Sequence, residues 1–180
     1  MSKKIVVIIG SPRRNGNTEI MADAFVKGAE ENGNQVTVYK LSEMKVNGCL
    51  GCEYCSGHQG KCVQKDDMQK IYPALYEADL LVFASPLYYY GFSSQIKAMI
   101  DRLYVSITKP LKLKECMLLA DCYDDDFAVF EPMLVNYKVI CKYLNWEDRG
   151  ILTLSGVKKK GAMADHPHLD EARELGLSIL

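Results

Sequence analysis

The apolar positions of this chain change their period several times. Lys4–Ile9 (KIVVII) is an unbroken, mostly β-branched run, the pattern of a strand buried on both faces of a parallel sheet. From Thr18 the period becomes helical: Ile20, Met21, Ala24, Phe25 and Ala29 share one face, and Gly33 supplies a C-terminal stop. Gln35–Leu41 predicts a second strand and Asp79–Ala84 (DLLVFA) a third, buried one. Between them a Gly- and Cys-rich loop covers Lys45–Val63. Asp66 and Asp67 then suit a helix start, although Pro73 predicts a short turn first and a helix beginning nearer Tyr72. Ile96, Met99, Ile100 and Leu103 mark the next helix, opened by Ser93 or Ser94. Cys116–Ala120 predicts a fourth strand. Phe127, Phe130, Leu134, Tyr137, Cys141 and Leu144 form a long amphipathic face, with Pro132 tolerable only near its beginning. Arg149–Leu154 predicts a fifth strand, and Leu169–Leu180 a closing helix entered through Pro167.

Strands alternating with helices in this way predict an α/β fold, a parallel sheet between two helical layers. No internal repeat, low-complexity segment or linker interrupts the pattern, so residues 1–180 read as one doubly wound domain.

Composition adds limits. With 48% hydrophobic and 25% charged residues in 180, the chain has an ordinary globular balance. A net charge of −1 favours neither nucleic acid nor an anionic membrane as a partner, and it lacks the acidity of an electrostatically docked electron shuttle. Lys3-Lys4 before Ile5–Ile9 looks like the start of a secretory signal, but the apolar run is too short and a basic loop follows it. No stretch reaches transmembrane length. A cytoplasmic location is therefore expected. In such a reducing compartment the seven cysteines call for a reason other than structural disulfides, and four of them fall within fourteen residues.

The loop Gly10–Thr18 (GSPRRNGNT) joins the first strand to the first helix, where open parallel sheets bind ligands. Its chemistry suits an anion. Gly10 and Gly16 bring backbone N–H groups close to a ligand, and the helix after Asn17 points its positive end the same way. Ser11, Asn15, Asn17 and Thr18 add neutral donors, and Arg13 and Arg14 add charge. The loop lacks the G-x-G-x-x-G of a dinucleotide fingerprint, and Asn17 stands where a P-loop needs lysine. An ordinary helix-capping turn would explain Gly16 and Asn17 but not two arginines.

G-S-P-R-x-x-G-N-T after the first strand resembles the NADPH-dependent FMN reductase branch of the flavodoxin-like superfamily. The similarity continues through Ser85-Pro86-Leu87-Tyr88-Tyr89-Tyr90-Gly91, Lys97 and Asp101-Arg102, and extends to the cysteine cluster. It implies a flavodoxin-like three-layer sandwich with a five-stranded parallel sheet of order 2-1-3-4-5 and helices on both faces. It also implies FMN as cofactor. Ser11, Arg13, Asn17 and Thr18 would hold the phosphate, with Pro12 and Asn15 in the same loop. Pro86, Leu87, Tyr88 and the backbone to Gly91 would lie along the isoalloxazine. A flavin needs flat walls and backbone donors near its reactive edge. Tyr88 suits that role best, while Tyr89 and Tyr90 serve equally as flavin contacts or as subunit-interface residues. Asp121-Cys122-Tyr123, at the end of the fourth strand, forms a third edge of this site.

Cys49-x2-Cys52-x2-Cys55-x6-Cys62 puts three thiols on a compact loop with a fourth nearby, an arrangement suited to the corners of a [4Fe–4S] cubane. Structural zinc prefers two separated pairs. Free thiols, or a disulfide formed in air, are the alternatives. The spacing also resembles the iron-sulfur flavoproteins, relatives of the FMN reductases in which such a cluster passes electrons to FMN. His58 lies within this loop, His166 and His168 flank Pro167 at a helix entrance, and Lys158-Lys159-Lys160 would either attract the 2′-phosphate of NADPH or form a solvated loop.

The resemblance thus implies an oxidoreductase in which NAD(P)H reduces FMN and a quinone, free flavin or other small acceptor reoxidises it, with no protein acid or base required. It further implies a homo-oligomer, a dimer or tetramer. An FMN/[4Fe–4S] electron carrier fed by a ferredoxin-like partner is the second reading, and a flavin- or nucleotide-binding sensor the third.

Overall fold

The computed structural model describes residues 2–180. Five parallel strands form one sheet in the order β2-β1-β3-β4-β5: β1 Lys4–Ile9, β2 Gln35–Lys40, β3 Leu80–Pro86, β4 Glu115–Asp121 and β5 Glu147–Leu154. Helices α1 (Asn17–Glu31), α2 (Tyr54–Gly57), α3 (Met68–Glu77), α4 (Ser94–Arg102), α5 (Glu131–Leu144) and α6 (Leu169–Leu177) complete the framework. The expected fold class and strand order are both present.

Alternation along the strands divides the interior in two. Ile5, Val7 and Ile9 of β1 face the layer of α1 and α6, where they meet Met21, Phe25 and Ala172. Val6 and Ile8 face α3, α4 and α5, among Met68, Ile71, Met99, Met133 and Tyr137. Both faces are apolar because both are covered, which is why β1 reads as a continuous run.

Most departures from the sequence reading are at element ends. Helix α3 starts at Met68 and runs through Pro73, with no separate turn before Tyr72. Pro73 is exposed, so its ring projects to solvent while Ile71 and Leu75 anchor the helix. The long helix around Pro132 begins as a 3-10 turn at Phe127–Phe130, entered through Asp126, whose carboxylate accepts from the Ala128 N–H. Helix α5 proper starts at Glu131, which puts Pro132 in the first turn, where a missing N–H is harmless. Ser93 is the cap of α4 and accepts from the Ile96 N–H. No described helix is long and apolar enough to cross a membrane.

Helices α1 and α6 touch backbone to backbone. A Cβ on Gly28 would lie 2.0 Å from the Arg173 carbonyl oxygen, and one on Gly176 would lie 2.2 Å from that of Phe25. Gly28→Ala should therefore force the two helices apart and destabilise the protein by about 1–3 kcal/mol, read as a lower urea midpoint at unchanged m-value.

Candidate functional site

The carboxyl ends of β1, β3 and β4 open into one cleft of about 340 Å³. Ser11, Arg13, Asn17 and Thr18 line one wall, Pro86, Leu87 and Tyr88 a second, and Asp121, Cys122, Tyr123, Val157 and Lys158 the remainder. Two loops far apart in sequence meet here because α4 ties them together. The Ser93 hydroxyl donates to the Gly10 carbonyl, the Ser93 N–H donates to Ser85 Oγ, and the Gly10 N–H donates to the Ala84 carbonyl. Gly10 has no room for a side chain, since a Cβ there would lie 2.0 Å from Ile96.

Within the loop, polar groups divide their work. Gly16 caps α1 without a side-chain hydrogen bond, leaving the first-turn N–H groups available to a ligand. Arg13 is exposed on the cleft wall, whereas Arg14 pairs with Glu43 at 3.6 Å. Asn17 is buried, and its side chain anchors the loop after β5: it donates to the Lys159 carbonyl at 2.9 Å and accepts from the Gly161 N–H at 2.8 Å. Its role toward any ligand falls to its backbone. Pro12 and Asn15 are exposed and lie outside the cleft lining. The Asn15 N–H donates to Glu19, which is buried and paired with Lys40 at 2.5 Å. Burial raises the Glu19 carboxyl, but Lys40 and the Asn15 N–H outweigh it and hold the group below the usual range.

Leu87–Gly91 is a tight two-residue hairpin. Tyr88 and Gly91 exchange backbone hydrogen bonds, and the positive φ values fall on Tyr89 (45°) and Tyr90 (63°). Such turns normally use Asn and Gly at these positions, so two tyrosines store strain of about 1–3 kcal/mol each. The turn separates the aromatics. Tyr88 faces the main cleft, while Tyr89 and Tyr90 line an adjoining cleft with Leu87, Tyr123 and Val129. Gly91 lines neither.

Asp121 is the residue that the sequence pattern understated. It ends β4 almost wholly buried beneath the cleft, and its carboxyl accepts the Thr18 hydroxyl at 2.5 Å. Burial pushes the Asp121 carboxyl up to about 6, against the opposing pull of Thr18 and Arg13.

A second pocket, of about 20 Å³, is lined by Cys49, Cys52, Cys55 and Cys62 together with Arg102, Tyr104 and Val105. All seven cysteines are free; Cys49 and Cys52 are exposed, Cys55 buried and Cys62 half-buried. Among the described residues no group of three or more His, Cys, Asp or Glu side chains stands close enough to hold a single metal ion. A cubane sets its thiolates wider apart, each on a different iron. His58 stacks on Tyr54 at 3.6 Å, and its Nδ1 meets the Tyr54 carbonyl. Cys116 and Cys141 lie in the core beside Tyr137. His168 occupies the cap position of α6, but it caps no N–H, and its ring meets Glu171 at 2.6 Å. Lys158 pairs with Asp125 at 2.6 Å on the cleft rim.

The model of the family described as NADPH-dependent FMN reductase matches residues 3–124, which span both walls of the cleft and the cysteine loop. The chain belongs to this family. Among curated relatives, an iron-sulfur flavoprotein of Archaeoglobus fulgidus is 42% identical over 100 residues, covering 56% of this chain and 45% of that one. An iron-sulfur flavoprotein of Methanosarcina thermophila is 35% identical over 111 residues, covering 62% and 58%. The chain thus spans about half the length of these relatives. Of solved structures, an NAD(P)H:quinone oxidoreductase from Methanothermobacter marburgensis superposes with a TM-score of 0.80 at 18% identity, covering 98% of this chain and 96% of that one. That likeness establishes the flavodoxin-like fold of this FMN reductase family member.

Asp121 also gives the family fold here a pH signature. An unfolded aspartate releases its proton near 3.8 and the folded one near 6, so the folded state binds the extra proton between these values. The contribution of Asp121 to stability is then greatest below about pH 4, falls by on the order of 3 kcal/mol as pH rises to about 6, and levels off above. The difference in urea midpoint between wild type and Asp121→Asn should follow this falling limb between about pH 4 and 6.

Proposed function

We propose that the chain is an FMN-dependent NAD(P)H oxidoreductase, one flavin-binding domain over residues 1–180. The observation that carries this reading is the shared cleft: the uncapped start of α1 and Arg13 on one side, and the Pro86–Tyr88 wall on the other. The family match supports it. The first-turn N–H groups of α1, that of Thr18 among them, would take the FMN phosphate with Ser11 and Arg13, an arrangement of backbone donors and one exposed cation that suits a dianion. Asp121 would present its carboxyl to the hydroxyl-bearing chain of the cofactor. Leu87 and Tyr88 would form the flat apolar wall against the ring. Pro12, Asn15, Tyr89 and Gly91 would act through the shape of their turns. FMN, when bound, supplies the hydride-accepting and electron-passing chemistry, so the protein contributes binding, orientation and a dry wall. The cleft of Tyr89, Tyr90 and Tyr123 leaves an aromatic surface beside the ring for nicotinamide and then a small acceptor such as a quinone or flavin.

A second reading, an FMN/[4Fe–4S] electron carrier fed by a ferredoxin-like protein, is favoured by the four unbridged thiols that line one pocket with Arg102. Cys49, Cys52, Cys55 and Cys62 would hold the cluster. The names of the relatives support this reading. Free thiols throughout the chain support a reducing, cytoplasmic setting. Exposed Tyr89, Val139 and Tyr143 offer apolar surface for a homodimer or tetramer.

Anaerobic titration of the FMN-loaded protein with NADPH should bleach the flavin bands promptly, and quinone should restore them. Flavin bands that do not respond to NADPH or NADH, with a broad iron-sulfur shoulder, would replace the first reading with the second. Arg13→Ala should weaken FMN binding about 10- to 100-fold by fluorescence quenching while leaving riboflavin binding much less affected, because one charge-assisted hydrogen bond is worth about 1.5–3 kcal/mol. Equal losses for FMN and riboflavin would remove Arg13 from the phosphate site.

A further inference from the structure

Two buried side-chain donors lack a hydrogen-bond partner among the described residues, Arg102 Nε and Tyr76 Oη, and both adjoin the cysteine loop. Arg102 is 1% exposed and lines the pocket that all four cysteines line. The Tyr76 hydroxyl lies behind the turn after Cys55, 3.1 Å from where a Cβ on Gly60 would sit. A cationic donor left unsatisfied in the interior is costly unless an acceptor arrives. Both terminal nitrogens of the guanidinium already have acceptors. One terminal nitrogen donates to Asp66 at 2.8 Å and to the Asn47 carbonyl at 3.0 Å, and the other donates to Asp66 at 3.1 Å. Asp66 in turn accepts the Asn47 N–H at 2.9 Å. The head group is thus held by both ends of the loop, and Nε is its one nitrogen without any partner among the described residues.

We propose that Arg102 is a positioning residue for an iron-sulfur centre on Cys49, Cys52, Cys55 and Cys62, giving its Nε–H and its charge to a cluster sulfur and raising the centre's reduction potential. The inference rests on the iron-sulfur reading above. The physical ground is simple: thiolates and sulfides are acceptors, and one-electron reduction adds negative charge that a fixed neighbouring cation favours. Asp66 anchors the guanidinium and offsets part of its charge. Arg102→Lys keeps the charge but removes the planar fork, so the potential should fall; Arg102→Gln removes both and should lower it further. Asp66→Asn, which removes the offsetting charge, should move the potential up.

The test is an anaerobic dithionite titration of the full-length, iron- and sulfide-reconstituted protein. Cluster reduction is followed by low-temperature EPR, with the FMN potential recorded in the same sample as an internal reference. A lower cluster potential in Arg102→Lys at full iron content, a higher one in Asp66→Asn and an unmoved flavin potential are expected. An unchanged cluster potential in both variants would overturn the role of Arg102 while leaving the cluster in place. A wild-type protein that takes up no iron and sulfide would overturn the iron-sulfur reading and this inference with it. Should Arg102→Lys fail to fold, judged by loss of FMN binding and far-UV CD, Asp66→Asn alone decides by the direction of its shift, and no upward shift counts against the proposal.

Discussion

The close approach of the Gly10 backbone to the first turn of α4 organises the whole upper edge of the sheet. Ser93 reaches across to the Gly10 carbonyl while its own N–H donates to Ser85 Oγ, so the loop after β1 and the end of β3 are bonded to the same residue. Ile96 fills the space that any side chain at position 10 would need. The uncapped start of α1 and the Pro86–Tyr88 wall therefore face each other across one cleft. This is the switch point of a doubly wound sheet, where helices leave β1 toward one face and β3 toward the other.

The polar residues around that cleft serve two purposes. Asn17 secures the loop after β5, and Thr18 satisfies Asp121, so neither side chain is free for a ligand as it stands. What remains directed outward is the start of α1 and the exposed Arg13. In the proposed phosphate site these would recognise an anion mainly through backbone geometry, above a carboxyl whose charge burial disfavours.

The cysteine loop obeys a different constraint. It has little regular structure, yet it is closed at its base: Asp66 and Asp67 accept the Asn47 and Lys45 N–H groups, Gln64 donates to the Gly48 carbonyl, and Arg102 bonds both Asn47 and Asp66. Burial raises the Asp66 carboxyl, but the Arg102 hydrogen bonds outweigh this and hold it below the usual range. For Arg102 burial works against the charge and Asp66 more than restores it. Such a buried pair gives little net stability but fixes geometry strongly, which is what a loop rich in glycine and thiols lacks.

The sequence by itself determined the layers, the strand order through its family motifs, and the two loops that carry chemistry. Periodicity reports burial, and glycine, arginine and cysteine spacing reports what the backbone can cradle. Helix ends were less legible, as at Pro73, because packing of Ile71 and Leu75 outweighs a local preference. Tertiary structure alone decided which polar groups are already occupied, and which are not. Asn17 reads as a ligand donor, and only the fold bonds its side chain to the loop after β5; Tyr89 reads equally as a flavin contact or an interface residue, and only the hairpin puts it in the neighbouring cleft. Arg102 reads as part of the Asp101-Arg102 stretch of the family resemblance, and only the fold buries it beside the cysteines with Nε unpartnered among the described residues. The reason is common to all three: hydrogen-bond partners distant in sequence are set by the sheet topology, and no local pattern records them.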